Sequence, residues 1–233
     1  MKPLKHILTF LFIFYLILEA YSVFNPLDKN TLHDGDLIFQ TTVNSQSTAI
    51  MMASKSLYTH VGIVKHYGNQ IVVIEATGPV KETPLNDWIN HGALSRISVM
   101  RDTRMTTKQA QHLFKQAKTY YGQPYDPHFR FNNGKLYCSE LPYILHQQAG
   151  IPIGQTHTVT ELNSHNPIVE HLMKTRWQTD PICNGLSSFR ACQPKMLSQQ
   201  LITPAGLMND RNLTHVYSNY PFILKTLAGL IQQ

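Results

Sequence analysis

Apolar and polar positions alternate or recur with clear periods over the first two thirds of the chain. Residues 7–18 (ILTFLFIFYLIL) are apolar except for Thr9. After a turn at Asp34-Gly35-Asp36, residues 37–40 predict a short strand. Residues 47–57, rich in small side chains and Met and free of Gly and Pro, predict a helix. Residues 59–66 and 70–76 predict two strands around Gly68-Asn69, a two-residue hairpin signal. A short helix over 84–91 and a strand over 97–100 follow. Residues 106–121 predict a capped helix with a stripe of Ala110, Leu113, Phe114, Ala117 and Tyr121, closed by Gly122. Another helix opens near residues 138–141 and stops at Gly150. Beyond that point the pattern weakens, with short helices expected near 167–174 and 194–200. Helices mixed with antiparallel strands, without alternating βα units, indicate an α+β fold.

The 233 residues suit one domain, or at most two. The N-terminus joins Lys2 and Lys5 to an apolar stretch of about a dozen residues, then Glu19-Ala20-Tyr21-Ser22, with small residues at the −3 and −1 positions. It has the form of a cleaved export signal over residues 1–22 and is too short for a membrane span. The expected mature protein is a single domain over residues 23–233, periplasmic or secreted. Its charge is 20 − 2 = 18 basic against 14 − 1 = 13 acidic residues, or +5. The cations are scattered, so no nucleic-acid partner is indicated, and peripheral contact with a membrane or cell wall stays open. Twelve His residues are dispersed without HExxH or paired CxxC spacing, so neither a metal nor another cofactor is called for.

In an exported protein, three cysteines invite pairing. Cys183 and Cys192 flank a loop-like stretch; they are either joined or free, and pairing them leaves Cys138 as the odd thiol. Pro142 is tolerated only in a first helical turn, which puts Cys138 at a helix N-terminus. There the helix dipole favours a thiolate, and the Cys138 and Ser139 amides point outward to hold an oxyanion. A buried structural cysteine is the alternative. If Tyr67 pairs with Gln70, the hairpin places His60 and Glu75 on one face as diagonal neighbours, with Gly62 leaving space beside them. A carboxylate that orients a His facing a Cys is the logic of covalent catalysis; an exposed hairpin face with a weak cross-strand pair is the other reading.

Residues 35–40 (GDLIFQ), 58–64 (YTHVGIV), 74–76 (IEA) and 137–141 (YCSEL), in that order, resemble the YiiX/YebB-like group. These are papain-like amidase relatives of the NlpC/P60 superfamily in which the His-bearing strand precedes the Cys. The segments around Trp88, Tyr121 to Asp126 and 202–205 are also similar. The resemblance implies a permuted papain-like fold, with a small antiparallel sheet or barrel packed against the Cys helix. It implies a cysteine hydrolase, amidase or acyl hydrolase, with Cys138 as nucleophile, His60 as base and Glu75 as orienter. Tyr58 and Ser139 are the further oxyanion or substrate candidates. Substrates would be a peptide, an amide or a lipid-like acyl compound, and Met51, Met52, Phe129 and Phe131 line a cleft or belong to the core. A transferase, or a binding module without chemistry, are the alternatives.

Overall fold

A computed structural model describes residues 2–221. Helix α1 (Lys2–Phe24) leads into the body of the protein. Among the described residues no helix is long and apolar enough to cross a membrane. The chain continues through β1 (Leu37–Thr42), α2 (Ser47–Ser54), β2 (His60–Tyr67), β3 (Gln70–Ala76), β4 (Val80–Pro84), α3 (Leu85–His91) and β5 (Gly92–Asp102). Then come α4 (Thr107–Tyr120), α5 (Glu140–Gln148), β6 (His157–Thr158), α6 (Pro167–Arg176), α7 (Phe189–Leu197), β7 (Gln200–Leu201), α8 (Pro204–Met208) and β8 (Leu213–Ser218).

Six strands form one antiparallel sheet in the order β4-β3-β2-β1-β5-β8, and β6 pairs with β7 separately. The sheet is open and forms no closed barrel. Its period-two alternation buries both faces. Leu37, Phe39, Val61, Ile63, Ile74 and Ala76 face α4 and α5. Ile38, Val64, Val73, Ile97 and Val99 face α3, whose Trp88 is fully buried. Helix α4 begins with a reciprocal capping box between Thr106 and Gln109, which satisfies two otherwise unpaired amides.

Two strands of the six-stranded sheet, and the short pair β6 and β7, lie outside the sequence expectation. β4 carries Lys81, Glu82 and Pro84 and is held by its ladder to β3; Pro is tolerated because this is the sheet edge. β8 pairs with β5 more than a hundred residues away, a partnership no local pattern announces. α2 stops at Ser54 because Lys55 turns left-handed (φ 49°). The helix expected at 194–200 starts earlier, where the Ser188 side chain caps the Ala191 amide.

Candidate active site

The hairpin register sets the chemistry in place. Tyr67 pairs with Gln70 and Ile63 with Ile74, so His60 and Glu75 share a face. His60 Nε2 lies 2.6 Å from Glu75 Oε2, and both side chains are almost wholly buried. Glu75 Oε2 also accepts from Trp88 Nε1 at 3.0 Å, and its Oε1 accepts from Thr83 Oγ1 at 2.6 Å. The Trp88 ring stacks on His60 with centroids 5.8 Å apart. Gly62 makes room for the neighbouring strand β3: a Cβ there would lie 2.3 Å from Val73 Cγ1 and 3.0 Å from the Ile74 carbonyl, while the Trp88 indole would sit at ordinary contact distance, 3.5 Å. Burial raises the Glu75 carboxyl, but the hydrogen bond and charge of His60, the Thr83 hydroxyl and the charge of Lys81 together outweigh it and hold the group below the usual carboxylate range.

Cys138 is buried just before α5, whose N-cap is Ser139. Its sulfur lies 3.8 Å from the Thr59 carbonyl, one residue from His60. With Nε2 committed to Glu75, Nδ1 is the His60 nitrogen free to meet the thiol. Burial drives the imidazole down, yet the hydrogen bonds to Cys138 and Glu75 prevail and raise its pKa to about 9. Sulfur on one side and a carboxylate on the other stabilise the protonated imidazole.

Both neighbours of Cys138 grip the same distant residue. The Ile202 amide donates to the Tyr137 hydroxyl at 3.0 Å, and the Ser139 hydroxyl donates to the Ile202 carbonyl at 2.8 Å. The Ser139 hydroxyl, expected from the sequence as an oxyanion or substrate contact, is therefore committed to the Ile202 carbonyl. The Tyr58 hydroxyl is engaged with Ser98 Oγ at 2.7 Å, and Ser98 with Ser218. Tyr125 has a different setting. Its hydroxyl accepts from Gln46 Nε2 at 2.8 Å, while Gln46 Oε1 accepts from Arg176 at 2.9 Å. Burial and then the charge of Cys138 raise the Tyr125 phenol, which keeps its proton. In the sequence Tyr125 lies only within a segment of family likeness; nothing local assigns its hydroxyl a partner.

A mainly apolar cavity of about 110 Å³ opens at the Cys138 turn. Ile50, Phe129, Val169, Met173 and Met196 are among its walls. Of the other aromatic candidates, Phe131 packs instead against Tyr137 and Tyr143. Cys183 and Cys192 are joined as a disulfide that packs with Met173 and Met196 and braces the outer wall. Residues 151–208, where the sequence pattern is weakest, thus supply more than half of the cavity wall.

Residues 31–217 match the model of the permuted papain-like amidase enzymes of the YaeF/YiiX, C92 family. The chain belongs to this permuted papain-like amidase family. It is 37% identical over 189 residues to the uncharacterized protein YiiX of Escherichia coli (strain K12), covering 80% of this chain and 87% of that protein. A crystal structure of YiiX from Escherichia coli O157:H7, described as a metalloprotein, aligns with a TM-score of 0.72 and 32% identity. That alignment covers 82% of this chain and 99% of the other. Among the described residues here, no group of three His, Cys, Asp or Glu side chains is gathered to hold a metal ion. The antiparallel sheet and the helix that follows Cys138 are those of the family fold.

Proposed function

We propose that this protein is an exported cysteine hydrolase that cleaves the amide or acyl bond of a substrate with an apolar acyl portion. The observation that carries the reading is the buried Glu75–His60 hydrogen bond, aligned with a thiol at a helix start. The Cys138 thiolate attacks the carbonyl carbon, and the oxyanion rests on the Cys138 and Ser139 amides with the Tyr125 hydroxyl alongside. As the tetrahedral intermediate collapses, the leaving amine or alkoxide takes the proton from His60 Nδ1. Water then attacks the thioester and gives its proton to His60, releasing the acid and restoring the thiolate. Trp88 and Thr83 hold Glu75, which holds the imidazole. The apolar cavity beside Cys138 favours a lipid-like acyl group over a cell-wall peptide. Export is supported by the form of residues 1–22 and by the Cys183–Cys192 disulfide.

The test is alkylation of Cys138 by dilute iodoacetamide across pH 4–9, read by peptide mass spectrometry, with His60→Ala alongside. Fast reaction below pH 7 that slows in His60→Ala supports the thiolate–imidazole pair. Reaction only above about pH 8, as for an ordinary thiol, with no effect of His60, would refute it and leave the cavity as a binding site without chemistry.

A further inference from the structure

Glu140 lies two residues beyond the nucleophile and is fully buried. Its Oε2 accepts from the Tyr137 amide at 3.4 Å, closing a ring of backbone around Cys138 from the inside, opposite the grip on Ile202. Its Oε1 is buried without a hydrogen-bond partner. A buried carboxylate normally fills its lone pairs with donors, so an oxygen left bare marks a site hostile to the anion. A second buried carboxyl group, Asp126, stands nearby in the loop between α4 and α5. Asp126 takes three donors of this loop: the His128 and Arg130 amides and Asn133 Nδ2. The titratable groups facing Glu140 are therefore Asp126 from the loop and Tyr137 from its own turn, with no cation among them; Cys138 stands two residues before it on the same turn.

We propose that Glu140 is a positioning residue for the nucleophile: as an uncharged carboxylic acid it holds the Tyr137 amide, and so the Cys138 turn, without setting a second negative charge beside the thiolate. This rests on the thiolate–imidazole reading of Cys138 and His60. Burial raises the Glu140 carboxyl and the Tyr137 amide opposes this. Asp126 raises it further and the more distant Asn132 backbone lowers it slightly, leaving it at about 8. Above that pH the charge appears within the Cys138 turn. Glutamine keeps the accepting oxygen and cannot ionise, so Glu140→Gln preserves the positioning and removes the titration.

The experiment is alkylation of Cys138 by iodoacetate, an anion that both the His60 charge and the Glu140 charge steer, across pH 5–10. In the wild type the rate falls with a midpoint near pH 8. In Glu140→Gln it falls near pH 9, where His60 loses its proton, while the rate at pH 6 stays within about two-fold of wild type because the turn is intact. Neutral iodoacetamide shows little of this shift. The wild-type midpoint is a test that needs no variant. Coincident midpoints in the two proteins overturn the proposal, as does a roughly ten-fold loss at pH 6 in Glu140→Gln, which would mean that the anion holds the turn. A wild-type profile unchanged by His60→Ala removes the thiolate–imidazole pair itself, and the Glu140 role with it.

Discussion

Glu75→Gln tests the electrostatics of the site with almost no change of shape. The wild-type carboxylate accepts from His60, Trp88 and Thr83, with the shortest bonds, 2.6 Å, to His60 and Thr83. The glutamine oxygen still accepts, but the charge opposite the imidazole is gone. A charge-assisted bond exceeds a neutral one by about 1–2 kcal/mol, or about one pKa unit. The His60 pKa is about 9 in the wild type, and it should fall to about 8 in the variant, with Cys138 supplying the remaining elevation. The imidazole is raised in the fold above its unfolded value of 6.5. Its stabilisation is therefore complete below pH 6.5 and is lost as pH rises to about 9; the variant should finish losing it about one unit earlier. Proton NMR of the His60 ring, assigned with His60→Gln, reads the midpoint directly, and urea titrations at pH 6 and pH 9 read the stability. A His60 midpoint in Glu75→Gln that matches the wild type would refute the carboxylate's role.

Three further outcomes are expected. Gly62→Ala places a Cβ 2.3 Å from Val73 Cγ1 and 3.0 Å from the Ile74 carbonyl; it should cost about 1–3 kcal/mol in urea unfolding and slow Cys138 alkylation by pushing on the β3 backbone that carries Glu75. Replacing Cys183 and Cys192 together by Ser opens a loop of sequence separation 9. This should cost about 2–3 kcal/mol and weaken binding of an apolar dye in the cavity, while Cys138 keeps its pH profile. His146 is fully buried, and burial drives its pKa to about 4 despite the hydrogen bond to the Pro142 carbonyl. Because the fold keeps it neutral while the unfolded chain takes a proton below pH 6.5, stability should drop by about 2 kcal/mol from pH 7 to pH 5 on its account. His146→Phe should flatten that slope in urea titrations; an unchanged slope would show that other groups carry it.

Local rules make much of this protein legible in its amino-acid order. Gly68-Asn69 between two β-branched runs dictates the hairpin, and the hairpin dictates that His60 and Glu75 share a face, because strand side chains repeat every two residues. Pro142 dictates where α5 starts, and so where Cys138 stands. The capped stripe of α4 follows from the 3.6-residue period. Each of these depends on neighbours in sequence. What the tertiary structure alone decided depends on partners far along the chain. Trp88 lies over His60 and donates to Glu75, Ile202 is gripped from both sides of Cys138, and Gln46 joins Arg176 to Tyr125. β8 completes the sheet beside β5, and residues 151–208 close the cavity. Their short helices have no long periodic face of their own. Their apolar side chains acquire an inside only when packed against α2 and the Cys138 turn, which is why hydrophobic patterning carries little signal there and three-dimensional packing carries nearly all of it.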